Sequence, residues 1–368
     1  MNPSPTTHLF FVDWLRVFAL GVLWWYHSGL IFSEKTGFHI KNNEPILYLD
    51  HFLFFFHEWR LALLFFVSGV AGYYVGQKYG KRFLAERWKR LCIPLLFGVL
   101  VIVPPQIYIE RIFNGFAYQS YYHFYIQSFQ NGFYPHGDIS WHHLWFMAYL
   151  LCYVSIFTLA KNIFARFRVQ SNFYLSPFIW VLPLVIAEIL LKPYSTGVQN
   201  IVQDLAKFTS YFILYLYGFF IASKPLYWDR IKSQKYTSLV AVVCSFILIY
   251  WIRMSGAGLA DGVLSPFYTA IRAINTWLCI LVLIGFAATY FNFNHRWLST
   301  MNRAILPMYI LHQTAIIVIG YQVIGLSMNP AMKWLLVMLF SFLFSWLIYR
   351  YIIAKVGTIA FLFGLKNG

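Results

Sequence analysis

Residues 9–33 read LFFVDWLRVFALGVLWWYHSGLIFS, and this run decides what kind of molecule the chain is. A hydrocarbon core about 30 Å thick is crossed by about 20 helical residues, so an apolar run of this length reads as a membrane span. It contains Asp13, Arg16 and His27 and has no small-residue cleavage pattern, which marks a retained first helix rather than a secretory leader. Nine further runs follow at 59–79, 91–113, 141–164, 175–191, 208–222, 238–254, 266–291, 304–324 and 331–353, giving ten expected spans. Composition points the same way. Of 368 residues, 60% are hydrophobic and 11% charged, against about 25% charged in a soluble domain. A water-soluble globule needs more polar surface than this, and a disordered chain carries far less apolar side chain. The expected architecture is an all-α, polytopic transmembrane helical bundle, one domain over 1–368 with no appended soluble domain.

Lys and Arg outnumber Asp and Glu by 28 to 12, a balance that would suit a nucleic-acid binder if the charges formed one surface. They fall instead in alternate gaps between the apolar runs. Lys78, Lys81, Arg82, Arg87, Lys89 and Arg90 follow the second span, Lys161, Arg166 and Arg168 the fourth, and Lys224, Arg230, Lys232 and Lys235 the sixth. Arg296 and Arg303 follow the eighth, and Arg350, Lys355 and Lys366 close the chain. The intervening gaps hold only Lys35, Lys41, Arg111, Lys192, Lys207, Arg253 and Lys333. The positive-inside rule therefore places both termini in the cytoplasm, and the basic excess is assigned to topology, with a lipid bilayer rather than nucleic acid as partner. Arg16, Arg60 and Arg272 remain, inside or at the mouth of spans. Cys92, Cys152, Cys244 and Cys279 lie in apolar runs without paired spacing, so neither a disulfide framework nor a zinc knuckle is expected.

A charged or titratable side chain inside a membrane helix costs at least about 2.5 kcal/mol and is a functional candidate by default. Arg16 and His27 are eleven residues apart, which is three turns plus about 20° at about 100° per residue, so both project from one face, about 16 Å apart along the axis. On residues alone two readings stand level: Arg16 snorkels to the inner interface while His27 ends the helix near Ser28, or the two form a functional stripe. Arg87 and Arg90, at i and i+3, share a helical face whose guanidinium forks suit phosphate oxygens; a plain topogenic cluster is the alternative.

The stretch DWLRVFALGVLWWYHSG, with Arg16, ten residues and then His27, resembles the first-helix signature of the membrane acyltransferase-3 family. Four further resemblances follow in the family's order. They are FFHEWRLALLFFVSGVAGYYVG at 55–76, RWKRLCIPLLFG at 87–98, HLWFMAYLL from His143, and LPMYILHQ at 306–313. The wording of the DWLR and HxxR elements is similar to the glucan biosynthesis protein C branch. The resemblance implies transfer of an acyl group, acetyl or succinyl, from cytoplasmic acyl-coenzyme A to a hydroxyl of an extracytoplasmic carbohydrate such as a periplasmic glucan, in a multi-pass protein of the bacterial inner membrane. Acetyl-CoA or succinyl-CoA is then the co-substrate.

The residues fit such chemistry. Neutral imidazole, with an unperturbed pKa of about 6.5, is well suited to take a proton from an attacking alcohol, which makes His27 the expected general base. Arg16 would orient the donor or steady the tetrahedral oxyanion. Arg87 and Arg90 would hold the coenzyme phosphates, and Ser68 beside Gly69 offers either a notch along the coenzyme path or a tight helix contact. Glu58 would orient His27 through its other ring nitrogen, or join His57 and Arg60 in an interfacial network; His57 and Arg60 are candidates for the substrate side, Arg60 as the extra cation for a dicarboxylic donor. His143, Trp145, Tyr309 and His312 are candidate acceptor-side residues, with bundle packing the alternative for the Tyr309 and His312 pair. The loop 114–140, rich in Tyr and Phe, would stack on sugar faces or form an interfacial belt. His136, His142 and His143 lack zinc-ligand spacing, and no metal is expected. The competing functional class is a multi-pass transporter or flippase for a glycan or small anionic solute, against which the chain lacks a matched pair of Gly/Pro-interrupted helices.

Overall fold

A computed structural model describes residues 8–160, 176–196, 200–201, 203–256 and 264–365. Lys161, Arg166, Arg168 and Lys366, and the ends of the expected spans 141–164 and 175–191, lie outside the described residues. Apart from the isolated bridges Phe133 to Ile139 and Ser195 to Asp204, regular structure among the described residues is helical. The α-helices are α1 (Phe10–Leu30), α2 (Leu49–Tyr79), α3 (Phe83–Phe97), α4 (Pro104–Phe113), α5 (Tyr121–Asn131), α6 (Trp145–Leu159) and α7 (Val181–Leu191). They continue as α8 (Leu205–Ala222), α9 (Pro225–Ser233), α10 (Lys235–Ser255), α11 (Leu264–Tyr290), α12 (Leu298–Ile324), α13 (Pro330–Ile348) and α14 (Gly357–Leu362).

Eight segments among the described residues are long and apolar enough to cross a membrane. Two features account for the difference from ten. The expected spans at 59–79 and 91–113 fall in one continuous candidate, Leu49–Phe113, in which a π-helical turn at Gly98–Ile102 joins α3 to α4. Helix α1 stands outside the eight because Asp13, Arg16, His27 and Ser28 lower its mean hydropathy.

Local chemistry explains several boundaries. α4 opens on Pro104, where a missing N–H is no loss. Ser120 caps α5, its hydroxyl accepting from His123 N, and Asn329 caps α13, accepting from Ala331 N ahead of Pro330. Gly256, at φ 73°, ends α10 in the left-handed conformation. The loop 114–140 is partly helical, and Tyr108, Tyr118 and Tyr121 pack around the buried Phe124 with ring centroids 5.1 to 6.1 Å from it.

The chain divides into two compact units. The first comprises Met1–Ala19, His57–Phe83 and Tyr153–Asn302. Within it, α2 and α8 touch backbone to backbone: a Cβ on Gly69 would lie 1.9 Å from the Tyr215 carbonyl oxygen, and one on Gly218 1.9 Å from that of Phe66. Helices in lipid associate through such close van der Waals approach, because the lipid tails are as apolar as the side chains. This contact supplies a packing reason for the glycine at 69. Gly69→Leu is expected to lower stability by about 3 kcal/mol or more, since a backbone carbonyl cannot yield as a side chain can. Gly21→Leu, where nothing lies within 4 Å, should leave thermal unfolding in detergent almost unchanged.

The second unit comprises Leu20–Phe56, Leu84–Cys152 and Arg303–Gly368. Here α1 is tied to α13 by two indole bonds, Trp24 Nε1 to Ser341 Oγ and Trp334 Nε1 to Ser28 Oγ, each 2.9 Å. Lys41 Nζ donates to the carbonyls of Leu30 and Ser33, at 2.8 and 2.6 Å, satisfying acceptors that the end of α1 leaves over. Buried Lys333 donates to Asn42 Oδ1 and to Ile324 O. These bonds fix the outgoing end of α1, and with it His27.

Candidate active site

His27 Nδ1 lies 2.9 Å from His312 Nε2, with the two rings stacked at 17°. His312 is completely buried, and its Nδ1 faces the carbonyl of Tyr309. A carbonyl only accepts, so His312 Nδ1 carries a proton and, in the neutral ring, Nε2 carries the lone pair. His27 must then donate from Nδ1, which leaves the lone pair of neutral His27 on Nε2. The network thus selects the tautomer of the first-helix histidine.

His143 is fixed by the same logic. Its Nε2 donates to Ile310 O at 3.0 Å, so Nδ1 accepts, here from Gln106 Nε2 at 3.4 Å. Gln106 Nε2 also donates to Thr314 Oγ1 at 2.7 Å, and Thr314 donates onward to Ile102 O. The Tyr309 hydroxyl donates to the His143 carbonyl, and the His143 and His312 rings meet edge to face at 4.9 Å. Next to His312, Gln313 Nε2 donates to Gln106 Oε1 and to His39 Nε2, at 3.2 and 2.9 Å. His39 Nδ1 then donates to Glu110 Oε2, while Glu110 Oε1 accepts from the Tyr134 hydroxyl at 3.0 Å. Burial and the Glu110 carboxylate push the Tyr134 phenol up to about 12, so it remains a donor at neutral pH. Asp138, held by Arg111 Nε at 2.9 Å and Asn131 Nδ2 at 2.7 Å, braces the loop that carries Tyr134.

The first unit holds a separate polar pocket with about 460 Å³ of open space, lined by His57, Glu58, Glu188, Lys207, Arg272 and Thr276 among others. Glu58 accepts a bidentate pair from Arg272, Nε to Oε2 at 2.9 Å and Nη2 to Oε1 at 2.8 Å. Lys207 donates to Glu188 at 2.9 Å. Each membrane-embedded charge here has an opposite charge beside it, the arrangement that makes intramembrane ions tolerable.

Set against the sequence expectations, the structure brings together His27, His312, Tyr309 and His143 and adds Gln106, Gln313, His39 and Glu110, which the sequence reading passed over. Of the two readings of Glu58, orienting His27 or joining His57 and Arg60 in an interfacial network, neither names the partner found: both carboxylate oxygens take Arg272, and His312 stands at His27 Nδ1. His57, Arg60 and Ser68 lie on α2 in the first unit with Glu58, and Arg60 is buried. Arg16 lies one turn from Asp13, 3.6 Å between charged atoms. Arg87 and Arg90 occupy one face of α3, Arg87 buried and Arg90 half-buried. Trp145, at the start of α6, is buried with its ring edge-on to Tyr149 at 4.8 Å. Arg272 left a signal: an arginine inside an apolar run demands an acid, and Glu58 was available.

Eight helical segments of membrane-crossing length, with a half-buried histidine bonded ring to ring to a fully buried one within one of the two units, define a polytopic membrane protein with a histidine held in one tautomer. Residues 9–350 match the acyltransferase domain of the acyltransferase-3 family, and the chain belongs to that family. Among curated relatives, glucans biosynthesis protein C of Escherichia coli strain SMS-3-5 is 30% identical over 172 residues, covering 46% of this chain and 42% of the relative. The same protein from Escherichia coli O6:K15:H31 and from O1:K1 aligns to the same extent. The alignment thus spans less than half the length of the curated relatives. No solved structure matches.

Proposed function

We propose that this protein is a membrane-embedded O-acyltransferase that moves an acetyl or succinyl group from cytoplasmic acyl-coenzyme A to a hydroxyl of an extracytoplasmic carbohydrate, such as a glucan. In this reading it sits in the bacterial inner membrane, crosses ten times and keeps both termini in the cytoplasm. The observation that carries the reading is the His27 to His312 bond, which leaves the His27 lone pair on Nε2. Family membership supports acyl transfer, and the relatives' printed name supports a glucan acceptor.

His27 Nε2 takes the hydroxyl proton as the oxygen attacks the thioester carbonyl. The imidazolium is steadied by His312 Nε2, and Nε2–H of His27 then protonates the departing thiolate, so the enzyme ends as it began. Holding one tautomer throughout removes the reorientation that a mobile imidazole would need before each proton transfer. Arg16 orients the donor or steadies the oxyanion, Arg87 and Arg90 bind the coenzyme phosphates, Arg60 is the extra cation for a dicarboxylic donor, and His57 serves the substrate side. His143 and Tyr309 position His312, and Trp145 closes the acceptor side.

The direct test is mass spectrometry of periplasmic glycans from cells with and without the gene, paired with coenzyme release by the purified protein in detergent. Loss of an acyl substituent in the deletion supports the reading; identical glycans and no thioester turnover reject it. For the donor end, Arg87→Gln with Arg90→Gln should weaken coenzyme A affinity at least about tenfold and flatten its salt dependence. Unaltered affinity by calorimetry would put the phosphate site elsewhere.

A further inference from the structure

His39, Glu110 and His142 offer two imidazole nitrogens and a carboxylate oxygen within 4.8 Å of one another. They converge from a loop, from α4 and from the 3-10 turn before α6, all within the second unit. Two neutral imidazoles and one carboxylate form a ligand set that zinc takes in catalytic sites, where three protein ligands leave one tetrahedral position for an oxygen. We propose that these three residues form a divalent-cation site of zinc type.

Three features go beyond proximity. His142 Nε2 is buried and has no hydrogen-bond partner among the described residues, a state that costs about 1 to 3 kcal/mol for a polar atom and that a metal bond would relieve. Its ring is held in place, edge to face with His39 at 4.7 Å and with Tyr134 at 4.8 Å. The surrounding residues also supply part of the outer shell of a metal site, hydrogen-bonding the ligand carboxylate and the far nitrogen of His39. Tyr134 donates to Glu110 Oε1, leaving Oε2 for the cation, and Gln313 meets His39 Nε2. With zinc on His39 Nδ1, the ring proton sits on Nε2, and the Gln313 amide accepts it by turning over, which exchanges its bond to Gln106 Oε1 for that acceptance.

Gln313 adjoins His312 and His142 adjoins His143, so the cation would be coupled through two backbone steps to the histidines of the proposed active site. The cation site itself does not depend on the acyl-transfer reading.

The test is metal binding by the full chain in detergent. Protein stripped with a chelator and titrated with Zn²⁺ alone should take up one ion per chain, with a shift to higher Tm. X-ray absorption should show nitrogen and oxygen ligands at about 2.0 to 2.2 Å. His142→Ala removes a ligand nitrogen that has no hydrogen-bond partner among the described residues, so the variant keeps the hydrogen-bonded network around Glu110 and should lose stoichiometric uptake. Tyr134→Phe should retain it with about 10- to 100-fold weaker affinity. Wild-type protein that takes up no zinc, or His142→Ala binding as tightly as wild type, overturns the proposal. X-ray absorption on wild type alone decides the matter should a variant fail to fold. Thioester turnover, measured separately, leaves the acyl-transfer reading standing or falling by itself.

Discussion

In the proposed mechanism, His27→Ala is expected to lower acyl transfer by about 100- to 10,000-fold, the range that follows removal of a positioned general base, and to leave coenzyme A binding in place. The expected size rests on the geometry: His27 Nδ1 donates to His312, which puts the lone pair of the neutral imidazole on Nε2, the atom assigned to proton transfer in the proposed mechanism. Coenzyme release in detergent, with coenzyme A affinity from calorimetry, reads both quantities. Activity unchanged in this variant would strip His27 of its role. In the proposed mechanism His312 acts through His27, so His312→Ala should lower kcat by about 10- to 100-fold with KM little changed, as loss of an orienting partner does elsewhere. His312→Gln places an amide oxygen near the position of Nε2, keeps an acceptor for His27 Nδ1 and should recover part of the loss. Rescue by Gln but not by Leu would separate orientation from packing.

The part of this arrangement legible in the sequence is the part written along one helix. Arg16 and His27 share a run whose length and apolarity declare a helix, and the spacing of eleven fixes their common face. The basic gaps and the apolar runs likewise gave the all-helical architecture from local pattern, because in a bilayer the backbone has few alternatives to a helix. What the pattern does not carry is which face meets which. Thus His312 stood in a recognised motif, yet its bond to His27 joins residues 285 apart. Glu58 has His27, His57 and Arg60 as nearer candidates along the chain, whereas its partner Arg272 lies 214 residues on. Gln106, His39 and Glu110 announced nothing, since a single polar side chain near the end of a span has many uses. Their roles exist only once α4, α12 and the loop after α1 come together. The count of spans differs in part for a related reason: α1 concentrates polar side chains, and the functional candidates among them also lower its hydropathy.

Glu58→Ala is expected to destabilise the protein by about 3 kcal/mol, because it strands Arg272 with its opposite charge gone. The Glu58 side chain is 2% exposed and that of Arg272 33%, so the acid is the more deeply committed partner and its loss leaves a cation only partly able to reach water. The pair is bidentate, and Thr276 adds a bond from its hydroxyl to the Glu58 carbonyl at 3.0 Å, fastening α2 to α11. Removing both charges with Glu58→Gln and Arg272→Met should recover most of the stability, since a buried ion pair gives little advantage over neutral groups of similar volume. Thermal unfolding in detergent reads this directly, and kcat per folded molecule separates it from chemistry. An acid that served His27 would show the opposite pattern, with Tm retained, kcat lost and no rescue by Arg272→Met. The double variant therefore discriminates between Glu58 as a partner of the first-helix histidine and Glu58 as the counter-ion of an arginine inside the membrane. The bidentate geometry favours the counter-ion.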